Sequence, residues 1–181
     1  INLSISATTR NPRVGEVEGK SYFFKTKEEF EAMVDRGEFL EHAMIYDNYY
    51  GTPKKAIFDE LDMGRDVILE IEMQGAMQIK EVYPQAVFIF VLPPSLQELR
   101  NRIVGRGTET EEQIEKRFNS AYDEIKLLGD YDYFIFNNIV EKSAEEILNI
   151  LEVEKNKVSR YKKDILDMFE KEIKNVKTII K

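Results

Sequence analysis

Arg10 and Arg13 flank the dipeptide Asn11-Pro12. Proline cannot continue a helix and drives its predecessor toward extended backbone, so the two arginines share a short, non-helical loop. Ser6, Thr8 and Thr9 stand beside them as neutral donors. Planar guanidinium forks grip phosphate at two points, so this loop suits an anion clamp. Two solvated surface arginines fit the same residues, and charge alone does not separate the readings.

A second basic cluster is Arg102, Arg106 and Arg117. Arg102 and Arg106 have the i, i+4 spacing of one helix face, and Arg117 follows across a Gly-Thr-Glu-Thr loop. Such a helix pair fits a lid that closes arginines over phosphates. It equally fits a helix hairpin laced with ion pairs to Glu109, Glu111, Glu112 and Glu115. Glu70 and Glu72 close an apolar run, and strand alternation puts both on one face. Acids there can orient magnesium-bound water or accept from a base edge. Tyr49-Tyr50-Gly51-Thr52-Pro53 reads as a turn whose hydroxyls reach a phosphate or a base. His42 is the sole histidine, which excludes a histidine triad or a multi-histidine zinc site.

The elements that must carry these groups change character along the chain. Residues 21–24 read as a strand, and Thr26 with Glu28 and Glu29 starts a helix that stops at Gly37. Residues 39–46 read as strand, with a turn at Asp47-Asn48. From residue 59 the rhythm becomes strand and helix in alternation. Strands are expected at 66–71, 86–92 and 131–137, and helices at 74–82, 95–104, 110–128, 143–163 and 164–181. Ser95 with Glu98 has capping-box spacing. The Phe88, Phe90, Phe134 and Phe136 alternations read as core. Such alternation predicts an α/β fold with a parallel sheet covered on both faces, which binds ligands at the carboxyl ends of its strands. That edge would hold Glu70, Glu72, Pro93 and Asn137.

Composition narrows the function classes. The 181 residues suit one domain with small insertions, and 43% apolar content supports a core. A net charge of -8 gives no general attraction to nucleic acid or to an anionic membrane. The chain has no cysteine, so disulfides and thiolate chemistry are excluded and a reducing cytoplasm is the expected setting. No apolar run approaches a membrane span. Monomer and homodimer both remain open.

Seven segments then carry a family resemblance: SISATTRNPRVGEVEGKSYFF, GEFLEHA, NYYGTP, LEIEMQGA, FVLPPS, RIVGRGTET and KRFNSA, in register from residue 4 to residue 121. Together they resemble guanylate kinases over nearly the whole chain. The resemblance implies a P-loop-kinase-like core at residues 1–5, 57–95 and 127–181, an inserted GMP-binding subdomain at 6–56 and a helical lid at 96–126. It implies a monophosphate grip by Ser6, Arg10, Arg13, Tyr22 and Tyr50, and guanine reading by Glu41, Thr52 and Glu72. Arg102, Arg106 and Arg117 would stabilise the transferring phosphoryl group, with Arg10 also catalytic, and Asn137 would lie near the adenine of ATP. Glu70 would stand near Mg2+, in its outer shell.

The implied reaction is phosphorylation of GMP or dGMP by ATP with Mg2+, in the cytoplasm. The chain departs from the family in carrying Glu70 and Glu72 where Asp is frequent, and Asn138 where Asp is common. It also contains no G-x-x-x-x-G-K-[ST] loop, whose amides and lysine seat the ATP phosphates. On this reading the first strand and P-loop are absent, the chain is truncated, and turnover is expected to be negligible. The rival is a catalytically dead guanylate-kinase-like module that holds a protein ligand in the monophosphate cleft.

Overall fold

The computed structural model describes residues 1–45, 47–105 and 110–179, in two compact units, residues 1–88 and 89–181. The first runs β1 (Asn2–Leu3), β2 (Ala7–Thr8), β3 (Phe23–Phe24), α1 (Lys27–Asp35), β4 (Phe39–Ile45), β5 (Asn48–Pro53), α2 (Lys54–Asp62), β6 (Val67–Ile68) and α3 (Met73–Val82). The second runs β7 (Ile89–Leu92), α4 (Leu96–Gly105), α5 (Glu111–Ile125), a 3-10 turn at Lys126–Asp130, β8 (Tyr133–Phe136), α6 (Val140–Glu154) and α7 (Val158–Ile179). The α/β class holds. The expected parallel sheet takes the form of two parallel pairs, β1–β6 and β7–β8, beside a four-stranded mixed sheet in the order β3-β2-β5-β4.

Local chemistry explains α1. Thr26 accepts from the Glu29 amide and the Glu29 carboxylate accepts from the Thr26 amide, which satisfies two helix-end donors reciprocally. The helix lays Phe30, fully buried, onto Phe39 and Tyr49, with ring centroids at 4.4 and 5.2 Å. Burying such a ring contributes about 2 kcal/mol.

Residues 48–53 form a strand, not the expected turn; Asp47 (φ 67°), just before it, turns. Gly51 is tolerated there because the strand crosses the phenyl cluster: a Cβ would stand 2.9 Å from Phe39 and 3.0 Å from Phe30. A bulge between Phe39 and Glu41 lets Phe39 face this cluster while Glu41 pairs across the ladder with Thr52.

Three further expectations are corrected. The strand expected at 66–71 stops at Ile68, so Glu70 and Glu72 lie on the exposed connection into α3 and do not share a strand face. Phe134 and Phe136 stand 55% and 53% exposed, because the β7–β8 pair packs Ile135 inward and leaves their face open. The single helix expected at 143–163 is two helices. Glu154, the last residue of α6, is buried at the break and accepts from the Tyr133 hydroxyl (2.8 Å), Lys157 Nζ (3.0 Å) and Arg160 Nη2 (2.7 Å).

These donors, Arg160 first, hold the Glu154 carboxyl down at about 2. A depressed acid stabilises the fold above its unfolded pKa and loses that contribution as pH falls through the folded one. The stabilisation is therefore complete above the ordinary carboxylate range and is lost as pH falls toward about 2. Lys157 is more than half exposed, so solvent screens its share of the attraction and the better buried Arg160 carries more. Acid titrations of melting temperature should show this loss in the parent chain and its absence in Glu154→Gln; identical profiles would refute the assignment.

Candidate functional site

The mixed sheet of the first unit positions most of the expected acceptor residues. On β5, Tyr50 and Thr52 alternate onto one face, opposite the side that carries Tyr49 and Gly51 to the phenyl cluster. Strand rise separates Tyr50 from Thr52 by about 7 Å. At the Thr52 end, Glu41 is 5% exposed and accepts from the buried Thr52 hydroxyl at 2.6 Å. Burial raises the Glu41 pKa, and the Thr52 bonds only partly counter it. A buried carboxylate with one neutral partner is poised for stronger donors.

The helix α3 covers this acid. A Cβ at residue 75 would stand 2.8 Å from Glu41 Cδ, so Gly75 permits the close approach. The Gln78 side chain, one turn on, accepts from the His42 amide (3.2 Å) and donates to the His42 carbonyl (2.8 Å).

At the Tyr50 end the arginine loop closes. The Arg10 guanidinium lies 5.4 Å from the Tyr22 ring centroid, within cation–π range. The Tyr22 and Tyr50 rings meet edge to face at 6.1 Å. Arg10 Nη1 and Nη2 donate to the Glu16 carboxylate at 3.0 and 2.8 Å. Arg10 is held above its ordinary pKa by Glu16 first, with Tyr50 adding to it. The Tyr22 hydroxyl is pushed above its ordinary pKa by burial first and by the Glu70 charge second. Ser6 precedes β2 and its carbonyl accepts from the Phe23 amide at 2.9 Å.

Arg13 is not drawn in with Arg10: its residue is exposed, and its backbone amide donates to Glu16 at 2.6 Å. Gly15 (φ 89°) makes the turn that returns the chain from Arg13 to Glu16, a conformation that favours glycine. Glu72 is exposed at the N-cap of α3, where its side chain makes no capping bond. Sequence reasoning passed over Glu16, Gly75 and Gln78. An acid six residues after Arg10 was the available signal for Glu16.

In the second unit, Arg102 on α4 donates from Nε to Glu98 (2.8 Å) and from Nη2 to the Asn137 carbonyl (2.8 Å). Ser95 caps α4 as expected, accepting from the Glu98 amide at 3.1 Å, but Glu98 turns to Arg102 instead of completing the box. The Asn137 amide donates to the Leu92 carbonyl at 2.8 Å, at the carboxyl ends of β7 and β8. Arg117 is half-buried on α5. Arg106 lies outside the described residues. The sequence Gly15 to Ser21, G-x-x-x-G-K-S, is one residue short of a P-loop and leads into β3 instead of a helix, so it offers no helix N-terminus to a phosphate.

One sheet face thus carries a buried acid, an acceptor for a donor edge, at one end and an arginine over a tyrosine ring, a donor to an anion, at the other. Residues 1–154 match the family model described as guanylate kinase. The guanylate kinase of Clostridioides difficile strain 630 is 67% identical over 173 residues, covering 96% of this chain and 84% of that one. That of Caldanaerobacter subterraneus subsp. tengcongensis is 54% identical over 162 residues, 90% of this chain and 79% of its own length. The crystal structure of guanylate kinase from Anaplasma phagocytophilum superposes with a TM-score of 0.75 at 40% identity, covering 86% of this chain and 76% of that one. The chain belongs to the guanylate kinase family, and so to the nucleoside monophosphate kinases. Among the described residues no helix is long and apolar enough to cross a membrane.

Proposed function

We propose that the reaction this chain serves is phosphorylation of GMP or dGMP with ATP as donor, and that the sheet face of the first unit is its acceptor site. The observation that carries the reading is the Glu41–Thr52 pair at one end of that face and Arg10, Tyr22 and Tyr50 at the other. Guanine offers two adjacent donors, N1–H and the 2-amino group, to a carboxylate; adenine presents an acceptor at N1 and leaves the acid unpaired. Thr52 and Glu72 complete the base contacts. Ser6, Arg10, Arg13, Tyr22 and Tyr50 grip the monophosphate, Arg13 swinging in from its exposed position.

Arg102, Arg106 and Arg117 act on the transferring phosphoryl group from a lid at residues 96–126, and Asn137 lies near the adenine of ATP. Residues 6–56 form the acceptor subdomain, and residues 1–5, 57–95 and 127–181 the core. Phosphoryl transfer needs no covalent intermediate, so positioning and charge compensation carry it. Among the described residues no three metal-ligating side chains converge. Mg2+ retains several waters and needs few protein carboxylates, so Glu70 suffices as an outer-shell contact to an ion that arrives with ATP. The cysteine-free composition suits the cytoplasm.

Residues 1–181 hold no G-x-x-x-x-G-K-[ST] loop, so the decisive test reads acceptor binding, not turnover. Calorimetric titration should show GMP binding about 100-fold more tightly than AMP, two lost charge-assisted donors being worth about 3 kcal/mol. Equal affinity for AMP would refute the roles of Glu41 and Glu72.

A further inference from the structure

We infer that Glu16 is the positioning residue of the phosphate clamp, holding the Arg10 guanidinium by one edge so that another faces the acceptor phosphate. The inference rests on the acceptor-site reading above. Arg10 has five N–H donors in a fixed planar fork. Glu16 takes one from Nη1 and one from Nη2 in a two-point bond, and the Asn11 carbonyl accepts a further bond from Nη1 at 2.6 Å. Beyond these three bonds the fork has its Nε–H and second Nη2–H, which lie side by side and match two phosphate oxygens; the Tyr50 hydroxyl also hydrogen-bonds the guanidinium, so phosphate and Tyr50 share what Glu16 and Asn11 leave.

The remaining freedom of the fork is rotation out of its plane, and the Tyr22 ring, 5.4 Å away, bounds it on one face. Glu16 is itself fixed. Its carboxylate accepts from the Arg13 amide at 2.6 Å, and its own amide donates to the Arg13 carbonyl at 3.1 Å across the Gly15 turn. The Arg10 and Glu16 side chains are both mostly covered, so the pair is partly withdrawn from water and resists casual exchange. Arg10 first, and the Arg13 amide after it, keep the Glu16 pKa below the ordinary carboxylate range. One acid thus fixes both arms of the loop: the Arg10 head and the backbone from which Arg13 projects.

An opposite role fits the same contact: a carboxylate that occupies the fork in place of phosphate and must be expelled on binding. The two roles differ in the sign of one measurement. Glu16→Gln keeps shape but turns an N–H toward Arg10, and Glu16→Ala removes the contact altogether. GMP and guanosine are titrated into the parent chain and both variants, with melting temperatures recorded alongside. Positioning predicts that each variant binds GMP about tenfold more weakly while guanosine affinity stays unchanged, since only the phosphate reads Arg10. A purely structural Glu16 would weaken both ligands together, and a competing Glu16 would strengthen GMP; either result, or an unchanged ratio, overturns the inference. Should the parent chain itself bind GMP no better than guanosine, the acceptor-site reading fails first. A parent preference preserved in both variants removes only the role of Glu16.

Discussion

Glu41→Gln is expected to weaken GMP binding by about 100-fold and to leave the fold as stable or more so. The substitution conserves volume beside Gly75 and keeps an acceptor for the Thr52 hydroxyl. It removes the charge that guanine's two donors would meet. An acid whose folded pKa is raised contributes its stability below the unfolded pKa and loses it as pH rises through the folded value. Burial is what raises Glu41, so at neutral pH its ionisation opposes folding and the neutral amide does not.

The chemistry also predicts a change in preference. A glutamine amide offers an acceptor and a donor, the complement of adenine N6–H and N1, so AMP should gain on GMP. Paired GMP and AMP titrations with thermal melts test both halves. Undiminished GMP affinity in the variant would remove Glu41 from the base-reading role.

Gly75→Ala should cost both stability and acceptor binding. The added Cβ would lie 2.8 Å from Glu41 Cδ and 3.2 Å from Cγ, inside ordinary contact distance. Helix propensity favours alanine by about 1 kcal/mol, whereas overpacking at an immobile contact costs about 1–3 kcal/mol. The contact is immobile because Gln78 ties α3 to both backbone groups of His42. Relief must come from Glu41 leaving Thr52, which misplaces the acid. We expect a melting temperature about 5 °C lower and GMP affinity reduced about tenfold. A variant more stable than the parent would mean that α3 yields freely and that the close approach is not needed.

What the sequence disclosed depended on whether the cause was local. Thr26 and Glu29 satisfy one another within a single turn, so α1 was legible to the residue. The pairing of Arg10 with a phosphate-reading role came from segment resemblance, since two arginines in a loop carry no sign of what they face. Residues 48–53 contain turn-forming types, and the strand they form depends on Phe30 and Phe39 accepting a glycine where a side chain would collide. The break between α6 and α7 has neither glycine nor proline in it. At it Glu154 meets Lys157 and Arg160 across the turn and Tyr133 from β8, and of these only Tyr133 is brought near by the folded chain. Glu70 and Glu72 were assigned a common face by alternation, and alternation ends where pairing ends, at Ile68.

Gln78 has a consequence beyond the acceptor site. In the mixed sheet β4 is an outer strand, seven residues long, with Met44 exposed on it. Bare outer strands are templates on which other chains add and fibres begin. By presenting one donor and one acceptor to His42, a single side-chain amide imitates the neighbour that the strand lacks. A foreign strand would have to displace α3 to continue the ladder, so the contact that seats Gly75 over Glu41 also keeps crowded copies of this protein from stitching together.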